Sequence, residues 1–175
     1  MTFKRHFTLR KLVRSAVIAC IYTVICLMTA EFSFAAVQVR LGESLAMLSV
    51  FSPEMIIGVT VGCFISNMLA SAPIDMLVGT AATLISAILT YNLRNVRTGK
   101  LALVPSIPPV VINAVVIGIE VSYLYYERDA VSSVLLMNIL LVGLGQFIAC
   151  SVLGVLLVLV IEKNPTLRRL LLEEK

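Results

Sequence analysis

The chain has 175 residues, of which 59% are hydrophobic and 14% are charged. Soluble domains carry about 45–50% apolar and about 25% charged residues, so this composition excludes a soluble domain and predicts an integral membrane protein. The formal net charge of +4 does not indicate nucleic-acid binding, because Lys and Arg cluster at the ends of apolar segments, where they set membrane topology.

Five apolar segments are long enough to cross a bilayer, which takes about 20 residues of helix. They cover residues 11–34, 53–70, 73–93, 104–126 and 132–161. The segment 40–52, between the first two, is too short to be an obvious crossing. If it crosses, the basic clusters at 4–14, 94–100 and 163–175 all fall on the cytoplasmic side, as the positive-inside rule requires. With five crossings, the second and third clusters would lie opposite the first.

We therefore predict an all-α integral membrane protein with six transmembrane helices, the second of them short. Residues 1–175 form one membrane domain, with a basic cytoplasmic tail (1–10), a six-helix bundle (11–161) and a cytoplasmic tail (162–175). The expected location is the plasma membrane, with both termini cytoplasmic. The four cysteines lie in apolar runs without C-x-x-C spacing, and the one histidine, His6, lies in the N-terminal tail. We predict no metal site and no cofactor.

Strongly polar side chains interrupt the apolar segments. A charged residue at the bilayer centre costs about 2.5–3.5 kcal/mol, and such residues are kept where they pair, line a water-filled cavity or bind a ligand. At 1.5 Å per residue, each of five helices places one strongly polar residue in the outer third of the bilayer. These residues are Glu43, Asn67, Asp75, Glu120 and Asn138, with Asn113 deeper on the same helical face as Glu120 and Gln146 beyond the midplane.

Each of these residues also has a simpler interpretation. An amide in a membrane helix often only joins two helices by a hydrogen bond. Asp75 could be charged and solvated at a helix N-terminus, and Arg40 could form a structural ion pair with Glu43. Glu54 is expected to be solvated at the inner surface. Glu120 has no such explanation at its depth, so we predict a shared cavity that holds a polar small molecule.

Two patterns of small residues concern helix packing. Gly58-x-x-x-Gly62 allows close approach of a neighbouring helix and predicts packing within the bundle. Ala16-x-x-x-Cys20, with Ser15 and Ala19 beside it, fits either internal packing or a partner helix, and the sequence leaves both open. The chain has no phosphate-binding loop and no hydrolase motif, so we do not expect an enzyme.

The run Gln38-Val-Arg-Leu-Gly-Glu43, followed by Phe51-Ser-Pro53, resembles the signature of the QueT family, the membrane-embedded substrate-binding (S) subunits of energy-coupling factor transporters for queuosine precursors. The resemblance extends from about residue 14 to residue 161. It implies a six-helix S subunit, held by a membrane coupling (T) subunit and two cytoplasmic ATPases. S subunits dock through an Ala-x-x-x-Ala face on the first helix, which Ala16 and Cys20 match as two small residues. Gln146 stands where many relatives have Glu.

The resemblance also implies a 7-deazaguanine ligand such as preQ0, preQ1 or queuine. Such a base offers two donors that one carboxylate can accept together, and its carbonyl requires a donor. The expected substrate-binding residues are Gln38, Arg40, Glu43, Asn67, Asp75, Asn113, Glu120 and Asn138. Two alternatives stay open: an S subunit for another vitamin-like solute, and an integral membrane enzyme or assembly protein without a transported ligand.

Overall fold

A computed structural model describes residues 9–29, 40–126 and 128–171, and within them all regular elements are helices. The helices are α1 (Leu9–Met28), α2 (Leu41–Val50), α3 (Pro53–Ala70), α4 (Pro73–Asn92), α5 (Leu103–Tyr125), α6 (Arg128–Gln146), α7 (Val155–Lys163) and α8 (Pro165–Leu171). Helix α2 is a 3₁₀-helix, and the π-helical segment Phe147–Gly154 joins α6 to α7 in one continuous rod.

Contacts between helix ends define two ends of the bundle. At the end that we call basic, an ion pair of 3.5 Å joins Arg14, in the second turn of α1, to Glu54 in the first turn of α3. The Thr90 hydroxyl, near the end of α4, donates to a carbonyl in the first turn of α5. Arg97, between α4 and α5, forms a 3.0 Å ion pair with Glu162 near the end of α7. The opposite end, called distal, contains the starts of α2 and α4.

The short helix α2 runs beside α4 from the distal end to the basic end. Arg40, directly before α2, contacts Asp75 in the first turn of α4, whereas Val50 at the end of α2 lines a cleft with Arg94, just past the end of α4. A 3₁₀-helix rises about 2.0 Å per residue, so ten residues cover roughly 20 Å, against about 15 Å in an α-helix. This stretched geometry lets a short segment traverse the bundle. The predicted six-helix fold with a short second helix is confirmed.

The bundle exposes apolar side chains, and its interior combines two apolar clusters with a set of buried polar residues. Five helices are long and apolar enough to span a membrane, and α2 is a shorter apolar helix. Exposed side chains on α1 include Leu12, Val13 and Val17, while Glu43, Asn67 and Asn113 are almost fully buried. Residues 30–34 of the predicted first span lie outside the described residues.

Helices α1 and α3 approach closely through the two glycines of the G-x-x-x-G pattern. A Cβ atom on Gly58 would lie 2.8 Å from the Ser15 carbonyl oxygen, and one on Gly62 would lie 2.7 Å from the Tyr22 Cβ. The predicted packing role of this pattern is confirmed. The expectation that Glu54 is solvated is wrong: its residue is only 4% exposed, because close packing holds the first turn of α3 against α1, where Arg14 supplies the opposite charge.

Candidate functional site

Asp75 is the centre of a buried polar cluster at the distal end. Arg40 Nη2 lies 2.5 Å from its Oδ2, and the Ser71 hydroxyl donates to the same oxygen. The Asn67 amide donates to the Asp75 backbone carbonyl over 3.1 Å. The alternative of a solvated Asp75 is therefore wrong, since the residue is 6% exposed and is paired with a guanidinium. The start of α4 is tucked against α3 and the residue before α2, and this arrangement excludes solvent from the carboxylate.

Gly79 provides the space that this cluster occupies. It lies one turn after Asp75 on α4, and a Cβ at this position would be 2.5 Å from Asp75 Oδ1 and 2.9 Å from Asn67 Nδ2. Real Cβ atoms do not approach polar atoms so closely, so any larger residue would displace the carboxylate or the amide. The absence of a side chain at position 79 thus leaves Asp75 Oδ1 open on its α4 side.

Glu43 forms a second polar cluster, deeper in the bundle. Its Oε1 accepts hydrogen bonds from the Tyr22 hydroxyl at 2.7 Å and from the Thr83 hydroxyl at 2.8 Å. Thr83 is ten residues into α4, which puts it roughly 15 Å from the start of that helix. The Glu43 side chain therefore reaches deeper into the bundle than Asp75, which lies in the first turn of α4, and its predicted place in the outer third of the bilayer stays a prediction.

The structure pairs Arg40 and Glu43 with different residues and not with each other. Arg40 has Asp75 as its acid, and Glu43 has two hydroxyl donors. A path of polar contacts joins the two clusters through α3: Cys63 Sγ lies 3.3 Å from the Thr83 hydroxyl and 3.5 Å from Asn67 Nδ2. Side chains from α1, α2, α3 and α4, together with Arg40 before α2, thus form one connected polar interior.

Helix α5 adds two residues with open polar atoms. Both carboxylate oxygens of Glu120 are buried without a hydrogen-bond partner among the described residues, and so is the Asn113 amide nitrogen. Glu120 lies five residues before the end of α5, on the distal side of the bundle. Burying a polar group without a partner costs about 1–3 kcal/mol, and more for a charged one. These atoms are therefore the strongest local indication of a ligand.

The polar residues of the last rod make contacts within the protein. The Asn138 amide donates to the Ser122 hydroxyl over 2.9 Å, which is the helix-joining role left open from the sequence. Gln146 Oε1 lies 3.6 Å from Cys150 Sγ, and the same sulfur lies 3.4 Å from the Glu43 carbonyl oxygen. Gln146 thus packs beside α2 in the interior. Gln38 lies outside the described residues.

The two small-residue candidates on α1 face outward. Ala16 and Cys20 are exposed, whereas their neighbours Ser15 and Ala19 are buried against α3. Internal packing therefore belongs to Ser15 and Ala19 and does not explain Ala16 and Cys20. Within the described ranges, no group of three or more His, Cys, Asp or Glu residues is arranged to hold a metal ion.

Sequence reasoning missed three members of the interior: Tyr22, Cys63 and Thr83. For Tyr22 and Thr83, a signal was present in the helical spacing. Tyr22 follows Ser15 and Ala19 on the buried face of α1, and Thr83 lies two turns after Asp75 on the same face of α4. Hydroxyl groups are easily overlooked in apolar segments, because Tyr and Thr are compatible with a membrane helix without any ligand.

Comparison with known proteins decides the family. The model of the QueT transporter family matches residues 12–163, which is most of the chain. The chain belongs to the QueT transporter family. One relative, the queuosine precursor transporter QueT of Lactococcus lactis subsp. cremoris, is 33% identical over 76 residues. That match covers 42% of this chain and 45% of the relative, so it spans less than half the length of either protein. No solved structure matches this QueT family member.

The family match confirms the resemblance seen in the sequence. The matched range runs from residue 12, in the first turn of α1, to the end of α7 and therefore includes every described residue of the polar interior. The chain is a multi-pass membrane protein of a transporter family.

Proposed function

We propose that this chain is the substrate-binding S subunit of an energy-coupling factor importer and that its ligand is a queuosine precursor of the 7-deazaguanine class. The observation that carries the proposal is a set of buried carboxylate oxygens that have no hydrogen-bond partner within the described part of the chain. They belong to three residues from three helices, namely Oε2 of Glu43, Oδ1 of Asp75 and both oxygens of Glu120. A ligand with several hydrogen-bond donors would satisfy them.

A 7-deazaguanine matches these atoms in number and type. Its ring N–H and exocyclic amine lie on one edge and suit the two open oxygens of Glu120. Its carbonyl oxygen accepts from a donor such as the open Asn113 amide nitrogen. An aminomethyl cation, where present, finds a further acid in Glu43 or Asp75. Hydrogen bonds to charged groups contribute about 1.5–3 kcal/mol each, so a few of them are enough for tight binding before ordering costs.

The other four residues predicted to bind substrate are Gln38, Arg40, Asn67 and Asn138. Arg40 and Asn67 hold Asp75 in place, as their contacts with its carboxylate and carbonyl indicate. We propose Gln38 as a contact from its position two residues before Arg40, and Asn138 as a contact at the α5–α6 side of the cavity.

Energy for import comes, in this proposal, from other chains: a membrane T subunit and two cytoplasmic ATPases. The exposed Ala16 and Cys20 support docking of the T subunit on α1, because small residues let a partner helix approach closely. The basic end, with Arg14, Arg94 and Arg97, is proposed to face the cytoplasm, in accord with the positive-inside rule. Both termini then lie in the cytoplasm of the plasma membrane.

Calorimetric titration of the purified protein tests the ligand class. We expect preQ1, preQ0 or queuine to bind, and we expect an analogue that lacks the exocyclic amine to bind at least tenfold more weakly, because Glu120 then loses one of its two donors. Binding of a different vitamin with no binding of any deazaguanine would support an S subunit for another vitamin-like solute. No ligand at all, together with a function independent of any ATPase, would support a membrane enzyme or assembly protein without a transported ligand.

A further inference from the structure

A large groove opens on the membrane-facing side of the basic end. It has a volume of about 1160 Å³ and runs along α1 between α2, α7 and α8. Its walls are apolar side chains, among them Val13, Val17, Ile21, Leu45, Leu157 and Ile161. The groove is separate from the polar interior, since none of the described residues proposed to bind substrate lines it.

Three arginines line the groove, and no acidic residue does among those that the structure describes. They are Arg10, Arg14 and Arg169. Arg14 is paired with Glu54, whereas Arg10 and Arg169 have no acidic partner among the residues that the structure describes. Two uncompensated guanidinium groups at the entrance of an apolar groove are complementary to an anion that carries an apolar tail.

The length of the groove fits one leaflet of a bilayer. Its lining residues on α1 extend from Leu9 to Ile21, which is roughly 18 Å at 1.5 Å per residue. Half of a bilayer core of about 30 Å is roughly 15 Å. All three arginines belong to the basic end, in the first turns of α1 and in α8, so the positive charge lies at the depth of a lipid phosphate and the apolar walls continue toward the midplane.

We propose that this groove binds one anionic phospholipid of the inner leaflet, with the phosphate on Arg10 and Arg169 and an acyl chain along Val17 and Ile21. Basic pockets between membrane helices on the cytoplasmic side are recognised sites for acidic headgroups. Guanidinium groups suit phosphate because they donate two parallel hydrogen bonds to it. The bound lipid would brace α8 against α1, since both helices contribute arginines to the same headgroup.

The absence of tryptophan from the chain makes a direct test possible. A single Val17→Trp variant places one fluorophore in the groove, and Val115→Trp places one on the exposed surface of α5 as a matched control. Each variant is reconstituted in bilayers of phosphatidylcholine mixed with phosphatidylglycerol, with bromine on the acyl chains of one lipid at a time. Quenching by bromine reports which lipid is in contact with the tryptophan.

We expect the fluorescence of the Val17→Trp variant to be quenched at least threefold more effectively by brominated phosphatidylglycerol than by brominated phosphatidylcholine at equal mole fraction. The Val115→Trp variant should show no preference. The preference should disappear in Val17→Trp combined with Arg10→Gln and Arg169→Gln. It should persist when Lys100→Gln and Lys163→Gln remove the same charge from the same end of the protein, outside the groove.

Equal quenching by the two lipids at position 17 would overturn the proposal, as would an equal loss of preference in the lysine control. Added inorganic phosphate separates a lipid from a free anion. If phosphate at millimolar concentration removes the preference, the arginines bind a soluble anion and not a lipid. Substrate affinity should be unaffected by the arginine changes, so failure here leaves the proposed transport function standing.

Discussion

The Tyr22 hydroxyl donates a 2.7 Å hydrogen bond to Glu43 Oε1, across the interior from α1 to α2. Tyr22 thus connects the helix that carries the exposed Ala16 and Cys20 to an acid of the proposed ligand cavity. The same oxygen accepts from Thr83, which leaves Oε2 as the open atom. Two hydroxyl donors on one oxygen fix the orientation of the carboxylate and direct its free oxygen.

Tyr22→Phe tests this positioning role. Removing the hydroxyl leaves Glu43 with Thr83 as its donor, and hydrogen bonds within membrane bundles are worth about 0.6 kcal/mol and at most about 1.7. We expect a small fall in thermal stability and a rise of roughly three- to tenfold in the Kd for a deazaguanine, measured by titration. Tyr91→Phe is the matched control, because the Tyr91 hydroxyl makes no hydrogen bond within the described residues and the ring lies at the basic end. Equal effects from both variants would remove Tyr22 from the site.

Glu120→Gln should raise the Kd at least tenfold while expression and folding stay near normal. The substitution keeps the shape of the side chain but removes its charge and turns one acceptor into a donor, and tenfold corresponds to about 1.4 kcal/mol. Glu162→Gln serves as the control, since it removes a carboxylate from the basic end. An unchanged Kd in Glu120→Gln would return this residue to a structural role.

Gly79→Ala should weaken ligand binding through crowding. The added Cβ would lie 2.5 Å from Asp75 Oδ1, so the carboxylate has to move. We expect a larger rise in Kd than for Ala82→Gly on the same helix, whose change removes volume and adds none. Titration of both purified variants checks this, and a Gly79→Ala protein with wild-type affinity would mean that Asp75 Oδ1 does not contact the ligand.

The orientation of the bundle can be tested by cysteine labelling. In a background without the four native cysteines, single cysteines at positions 97 and 166 should be protected from a membrane-impermeant thiol reagent in intact cells. One at position 129 should react, because α6 begins at the distal end. Labelling of position 97 from outside would reverse the proposed orientation.

Ala16→Leu and Cys20→Leu should abolish uptake of the precursor while the purified proteins still bind it with near-normal affinity. Both positions are exposed, so extra bulk obstructs a partner helix and not the bundle itself. Ala19→Leu is the contrasting variant: Ala19 is 5% exposed against α3, and the same bulk there should lower stability and binding together. Normal uptake in both exposed variants would move the partner contact elsewhere.

The sequence by itself determined the class of protein and the number of crossings. Apolar segments of about 20 residues admit only membrane helices, and the positions of Lys and Arg at their ends required 40–52 to be a crossing. It also indicated the important polar residues, because Glu43, Asp75 and Glu120 are too costly in a membrane helix to be accidental. The family followed from the motif around Arg40 and Glu43.

Only the tertiary structure decided how these residues pair and at what depth. The sequence could not show that Arg40 contacts Asp75, 35 residues away, because that contact depends on how α2 and α4 start side by side. The contacts of Glu43 with Tyr22 and Thr83 depend on how α1, α2 and α4 pack together, which composition does not encode. The division of α1 into a buried face with Ala19 and an exposed face with Ala16 likewise depends on where α3 packs, and packing is a property of the whole bundle.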